Sequence, residues 1–406
     1  MLNYKNGALL IEGIPLGEIA DRAGTPLYVY GSRKLSDNFS RFDDAFSKTE
    51  HLVCYAVKAN ESPYLLRILA KNGCGCDIVS GGELKLALAC GIRPEKIVFA
   101  GVGKRDDEIK DALRAGILMF NVESLPELFR ISGIAKSLGK TARIAFRVNP
   151  DINAKTHPHI TTGLSTNKFG LSFDEAAAGY ALAKGLASVE IAGIHCHIGS
   201  QITDIGSFVL ASKKISYFVK KLSSSGIELK YIDMGGGLGI NYCGTSAISP
   251  ADYAKAITSH LPKDRTLILE PGRFMVAETG VLVTKILYLK KTEKKNFIIV
   301  DAGMNDLVRP AIYDAYHEII PAQKKAGEEH NWNVVGPICE STDVFAKDRK
   351  MPPVAEGDYL AILCAGAYGF SMSSNYNMRP SPAEAAVEGG KWKIIRKREK
   401  IEDMLK

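Results

Sequence analysis

A lysine closes a short apolar run at Tyr55-Ala56-Val57-Lys58-Ala59-Asn60. Leu52–Val57 reads as a buried strand, and Asn60–Pro63 as the loop that follows it. A lysine at such a junction keeps its stem in protein and its amine at the rim of a cleft. Burial disfavours the ammonium and lowers its pKa, the condition a Schiff-base amine requires. A snorkelling lysine at a strand end has the same local sequence, so the hexapeptide leaves both readings open. Three other groups carry reactive or ligand-holding types: His195-Cys196-His197, Gly235-Gly236-Gly237-Leu238-Gly239 and Glu270-Pro271-Gly272-Arg273.

Each of these also has a plainer reading. The glycine run misses the G-x-G-x-x-G spacing and comes too late for an opening βαβ unit, which argues against a dinucleotide loop. Strand alternation sends His195 and His197 to the same face, which permits half of a metal site, but no carboxylate or third histidine is near in sequence. No metal is therefore expected; His197 suits stacking on a cofactor ring, and His195 a place inside a barrel. Glu270-Pro271-Gly272-Arg273 alone could be a turn with a surface ion pair.

The elements that must position these groups alternate regularly. Strand candidates are Leu52–Val57, Cys76–Val79, Ile97–Ala100, Ile117–Phe120, Arg143–Val148, Glu190–His195, Glu228–Ile232 and Thr266–Glu270. Helix-like stretches such as Ser62–Lys71, Gly82–Cys90, Ser124–Leu138, Phe173–Lys184 and Ser207–Ser224 lie between them. Eight β-α units imply parallel strands covered by helices and fit a (β/α)8 TIM barrel. After Gly280 the texture changes to Val281–Leu289, Phe297–Val300, Trp332–Val335, Tyr359–Leu363 and Lys393–Ile395, separated by turn signals such as Pro352-Pro353. That pattern predicts an antiparallel β domain, a sandwich or barrel, joined by Ala8–Ile11 and Pro26–Tyr30. The expected division is a cofactor-binding barrel over 31–278 and a β domain over 1–30 plus 279–406.

Barrel chemistry gathers at the C-terminal ends of the strands. Those ends supply Lys58, Ser80-Gly81-Gly82, Gly101, Asn121, Asn149, His197, Gly235-Gly236-Gly237 and Glu270-Pro271-Gly272-Arg273. Two glycine loops follow strands seven and eight, where barrels most often bind phosphate. One lysine, one acid and a phosphate cradle describe a site for pyridoxal phosphate, with Lys58 on the aldehyde and Glu270 at the pyridine nitrogen.

The 406 residues suit two domains, and 46% hydrophobic with 24% charged residues is a globular composition. Met1-Leu2-Asn3-Tyr4-Lys5-Asn6 has no long apolar core, so neither a signal peptide nor a membrane anchor is expected. The eight cysteines are scattered, mostly in apolar company, as reduced thiols of a cytoplasmic protein would be. A net charge of +7 is modest; the basic run Lys391–Lys400 alternates with apolar and acidic residues and reads as a solvated face rather than a nucleic-acid patch.

Seven motifs in order carry a family resemblance: Tyr55-Ala-Val-Lys-Ala-Asn60; His157-Pro-His-Ile-Thr-Thr-Gly163 with Lys168-Phe-Gly170; His197-Ile-Gly-Ser-Gln201; Gly235-Gly-Gly-Leu-Gly239; Glu270-Pro-Gly-Arg273; Cys339-Glu-Ser-Thr-Asp343; and Gly366-Ala-Tyr-Gly-Phe370. Nearly end to end, the chain resembles the diaminopimelate decarboxylase family of fold-type III pyridoxal-phosphate decarboxylases. The resemblance implies that Lys58 carries the cofactor, that His197 stacks on its ring and that Glu270 pairs with the ring nitrogen. It implies that Ser200, Gly237, Gly272, Arg273 and Tyr368 bind the phosphate region. It further implies that Cys339 is a proton donor delivered with Glu340 from the second subunit of a homodimer. The position of the Asn153–Lys168 loop suggests a cover over the site. Cys364 departs from the polar or acidic residue relatives often carry there.

Substrate choice turns on the far end of the molecule. Meso-diaminopimelate ends in an ammonium and a carboxylate, ornithine in an amine only. In the resembling segment Asp301–Tyr313, Arg309 and Tyr313, together with Arg273, are expected to hold that carboxylate, and Glu340 the ammonium. The alternative is a decarboxylase of the same fold acting on ornithine, arginine or a carboxylated polyamine. A non-catalytic cofactor carrier and a metal hydrolase around His195 and His197 are the more distant rivals.

Overall fold

The computed structural model describes residues 1–152, 168–242 and 247–405. The chain forms two compact units: one comprises Met1–Asp37, Asn241–Thr245 and Met275–Lys406, the other Asn38–Ile240 and Ser246–Phe274. Among the described residues, no helix is long and apolar enough to cross a membrane.

The second unit is a closed barrel of eight parallel strands: His51–Ala56, Gly75–Ile78, Ile97–Phe99, Met119–Val122, Ala142–Arg147, Val189–His195, Tyr231–Asp233 and Thr266–Leu269. The last strand pairs in parallel with the first, Leu267 opposite His51 and Leu269 opposite Val53, which closes the cylinder. The strands are buried almost throughout, so they read as continuous apolar runs rather than alternating ones. Helices start where the sequence supplies caps: the Ser80, Ser124 and Ser172 side chains accept from Glu83, Glu127 and Glu175 N–H groups. At Ser172 the Glu175 carboxylate returns the bond, a full capping box.

Two strands sit differently from their sequence expectation. The strand expected over Ile117–Phe120 spans Met119–Val122, because Ile117 is spent on ending a helix. Gly116 is left-handed there, and both it and Ile117 bond back to Ala112 O. The strand expected over Glu228–Ile232 spans Tyr231–Asp233. Both shifts run toward the C-terminal mouth and place Asn121 and Asp233 within the strands.

The first unit holds a nine-stranded sheet and a three-stranded one. The expectation of an antiparallel domain needs correction, since the larger sheet is mixed. Asn296–Val300 runs parallel to His330–Val335, and Leu27–Gly31 runs parallel to Ala383–Glu388. Leu9, Ile11, Ile14, Leu16 and Ile19 pack with Leu27, Val29, Val281, Val283 and Ala385 in one core, which makes the N-terminal segment part of this unit.

Candidate active site

Lys58 lies in a single turn, Val57–Ala59, directly after the first barrel strand. Its side chain is 38% exposed, while Asp77, from the second strand, is fully buried; Nζ donates to Asp77 Oδ2 at 2.5 Å. Strand pairing sets this contact, because Ala56 is in register with Asp77. Burial, then the charge of Glu270, pushes the Asp77 carboxyl up to about 6, with Lys58 pulling the other way.

That value carries a pH prediction. Between the ordinary 3.8 and about 6, folded Asp77 keeps a proton that the unfolded chain has released. Its stabilising contribution is therefore complete below 3.8 and lost as pH rises through about 6. Asp77→Asn cannot ionise. Its stability relative to wild type, measured by thermal unfolding of the cofactor-free protein, should rise between about pH 4 and pH 7 by on the order of 2 kcal/mol. A difference that does not vary with pH would remove Asp77 as the titrating group.

Four buried side chains meet behind this pair. Glu270 follows the eighth strand; its Oε2 lies 3.3 Å from His195 Nε2, and its Oε1 accepts from Asn121 Nδ2 at 3.3 Å. The same Asn121 amide donates to Asp233 Oδ2 at 3.2 Å, and Asp233 Oδ1 accepts from Gly235 N–H at 2.9 Å. Two carboxylates sharing one donor cannot both stay charged cheaply. Burial, then the charge of Glu270, raises the Asp233 carboxyl well above its ordinary range, so Asp233 keeps its proton. Burial opposes the charge on Glu270 as well, but His195, Lys58 and the hydrogen bond from Asp233 outweigh it and hold Glu270 below the ordinary value. Glu270 is thus the ionised member. Among the described residues, Asp77 Oδ1, Asn121 Oδ1 and His195 Nδ1 are buried without a hydrogen-bond partner.

The loops beside the acids are built for close approach. A Cβ on Gly236 would overlap Glu270 O, and one on Gly237, at φ +103°, would lie 2.5 Å from Gly199 O. Backbone therefore packs on backbone at these two positions of the cradle, where a side chain has no room. Gln201 fixes this cradle: its amide donates to Ile240 O at 2.6 Å and accepts Ile240 N–H at 3.1 Å. Ser200 Oγ accepts from Arg273 Nη2 at 2.9 Å, and Gly272 lies close against Ala56 and Ala59. His197 Nδ1 accepts Gly236 N–H at 3.1 Å. Burial, then the charges of Arg147 and Lys58, hold its pKa well below the ordinary value, giving a neutral ring.

Such a site suits pyridoxal phosphate. A glycine cradle with Ser200 and Arg273 can take a phosphate, Lys58 an aldehyde, and an ionised buried acid a ring N–H. The metal alternative built on His195 with His197 is replaced by a different grouping. His195 instead meets Asp233 and Glu270, whose ligand atoms and its own lie within 4.8 Å of one another. Both carboxylates are distant from His195 along the chain; barrel closure brings them from the ends of strands seven and eight.

The family model described as pyridoxal-dependent decarboxylase, pyridoxal binding domain, matches residues 32–277. The diaminopimelate decarboxylase of Aquifex aeolicus is 51% identical over 400 residues, covering 98% of this chain and 95% of that protein. This chain belongs to the diaminopimelate decarboxylase family. A second diaminopimelate decarboxylase, from Vibrio cholerae, is 48% identical with 99% of this chain and 97% of the relative covered. The solved diaminopimelate decarboxylase of Helicobacter pylori, complexed with L-lysine, superposes with a TM-score of 0.93 at 46% identity, covering 96% of this chain and 98% of that one.

Of the remaining expected residues, Arg309 opens the short helix Arg309–Tyr313 and is 5% exposed, while Tyr313 is half-buried. Cys339 and Glu340 are exposed on a turn organised by Asp343, whose carboxylate accepts Ile338 N–H at 2.7 Å and Met304 N–H at 2.6 Å. Among the described cysteines Cys339 is the exposed one, and Cys364 is half-buried. Tyr368 holds φ +56°, a strained state for a non-glycine residue, between Gly366 and Gly369, at both of which a Cβ would overlap backbone. The His157–Gly163 motif and the expected covering loop up to Asn167 lie outside the described residues. Just beyond them, Gly170 N–H donates to Glu123 Oε2 at 2.8 Å, and Arg147, paired to Glu123 Oε1 at 2.7 Å, covers the Phe169 ring.

Asp77, Asp233, Glu123 and Arg147 were not singled out from sequence. A signal was present for the first two, since Cys76-Asp77-Ile78 and Tyr231-Ile232-Asp233 each place an acid in an otherwise apolar strand.

Proposed function

We propose that the chain decarboxylates meso-diaminopimelate to L-lysine, the last step of lysine biosynthesis, with pyridoxal phosphate on Lys58. The observation that carries this reading is the Lys58–Asp77 pair at the barrel mouth that also holds ionised Glu270 and the glycine cradle. Residues 31–278 are the proposed cofactor-binding domain, and 1–30 with 279–406 the β domain; the matched region 32–277 supports this division.

Pyridoxal phosphate, when bound, supplies an aldehyde for the substrate amine and a ring that takes up the electron pair left by the departing carboxylate. Lys58 would hold the cofactor through its amine, and Asp77 Oδ2 sits where it can exchange a proton with Nζ. Glu270 keeps a proton on the ring nitrogen. Ser200, Gly237, Gly272, Arg273 and Tyr368 hold the phosphate, and the neutral face of His197 stacks on the ring. Cys339 returns a proton to the reacting carbon, a role supported by its exposed thiol, whereas Cys54, Cys74 and Cys196 are buried and their thiols pushed up by that burial. Cys339 and Glu340 serve the site of the second subunit in a homodimer. The free thiols support a reducing, cytoplasmic setting.

Arg309, Tyr313 and Arg273 hold the distal carboxylate, and Glu340 the distal ammonium. L-lysine retains that head group, in keeping with its presence in the Helicobacter pylori complex. Arg309→Ala should raise KM for meso-diaminopimelate about 10–100-fold, the value of a charge-assisted hydrogen bond, and change kcat less. Carbon dioxide release from meso-diaminopimelate, ornithine and arginine, measured beside wild type, checks this. Preference for ornithine with Arg309 dispensable would favour the alternative substrate.

A further inference from the structure

We propose that His317 is a positioning residue that fixes the guanidinium of Arg309, and thereby sets selectivity for ligands with a distal carboxylate. The proposal rests on the reading of Arg309 given above. His317 is fully buried and Arg309 nearly so. Arg309 Nη1 lies 2.8 Å from His317 Nε2, and His317 Nδ1 lies 2.7 Å from Leu363 O.

A guanidinium carries only donors, so Nε2 must accept. A carbonyl carries only acceptors, so Nδ1 must hold the ring proton and donate to Leu363 O. Both ring nitrogens are thereby assigned, and the imidazole is neutral. The backbone makes this arrangement rigid. Ile319–Pro321 pairs antiparallel with Tyr359–Ile362, with Ile319 opposite Ile362, and Leu363 N–H donates to Glu318 O at 2.8 Å. Glu318 and Leu363 extend that ladder by one step, and the bond from the neighbouring His317 ring to Leu363 O closes its end.

The Arg309 helix reaches this ladder through a sharp turn at Asp314, which is left-handed at φ +48°. Tyr242 completes the clamp. The Arg309 guanidinium carbon sits 4.8 Å from its ring centroid, and the His317 ring meets the same ring edge-on at 5.3 Å and 75°. A neutral acceptor and an aromatic face hold the guanidinium without cancelling its charge, as a carboxylate in their place would. A fixed, still-charged guanidinium loses little conformational entropy when it engages a carboxylate.

The test is binding of two ligands to the holoenzyme, followed by the change in cofactor absorbance. L-lysine carries the distal carboxylate and cadaverine lacks it. His317→Asn keeps a donor for Leu363 O but cannot reach Arg309, whereas His317→Gln places an acceptor near the position of Nε2. His317→Asn should weaken L-lysine about 10-fold or more while leaving cadaverine within about 2-fold, and His317→Gln should recover most of that loss. With meso-diaminopimelate the change should fall on KM rather than kcat.

Parallel weakening of both ligands, or unchanged L-lysine binding, would overturn the role of His317. Arg309→Ala separates the two ideas. If it leaves the L-lysine to cadaverine ratio unchanged, the Arg309 reading fails. If it collapses the ratio and His317→Asn does not, only the His317 proposal fails.

Discussion

Lys58→Ala should lose turnover on the order of 10⁴-fold or more, the scale on which a positioned proton-transferring group acts, and with it the visible absorbance of lysine-bound cofactor. The expectation follows from position. Lys58 offers its amine to Asp77 from a turn whose backbone is fixed by the first strand and whose neighbour Ala59 packs against Gly272. Removing the ammonium also removes what opposes burial and Glu270 at Asp77, so the Asp77 carboxyl should rise above its value of about 6 and stay protonated near neutral pH. The truncated site then has no unpaired charge to bury, and the variant should fold normally by circular dichroism. Spectra of the purified variant with added cofactor, together with carbon dioxide release, check both halves. Retained activity would end the assignment of Lys58.

Glu270→Gln should lower kcat by about 10²–10³-fold, typical for deleting one preorganised charge at a reacting centre, with a smaller effect on KM. The surroundings are arranged to keep this one acid ionised, with His195 at 3.3 Å, Asn121 at 3.3 Å and a neutral Asp233 donating to it. A glutamine keeps the shape and loses the charge. Asp233→Asn is the informative comparison, since an amide resembles the protonated acid already there and should cost far less. Steady-state kinetics of the two variants separate the roles. A larger loss in Asp233→Asn than in Glu270→Gln would mean that the ionised and neutral members have been assigned the wrong way round.

The barrel was legible because each strand is an apolar run of strand length and the runs recur at regular spacing. The mixed sheet was less so. Ala383–Glu388 is alanine- and glutamate-rich, a helical composition, yet it is buried beside Leu27–Gly31 from the other end of the chain. Tertiary packing overrides local preference there, and no turn signal reports a pairing between distant segments. Val344–Met351 was hidden by its charges, which an outward-facing strand tolerates. In the site, groups that follow strands were readable one by one. Asp233 and Asp77 act only through partners on other strands, and His317 through Arg309 across a turn, so their meaning appears once the ladders are in register.

The seam where the eighth strand meets the first has a bearing on how the protein matures. Lys58 sits on one lip of that seam and Glu270 on the other, although they are among the earliest and latest barrel groups to leave the ribosome. A partly synthesised barrel therefore has a lysine without its acid and a cradle not yet made, and nothing for the cofactor to recognise. Closing so long a loop is the slow, entropically costly step of such a topology. A ligand that engages both lips favours the closed state by mass action, and so acts as a clasp on the finished fold.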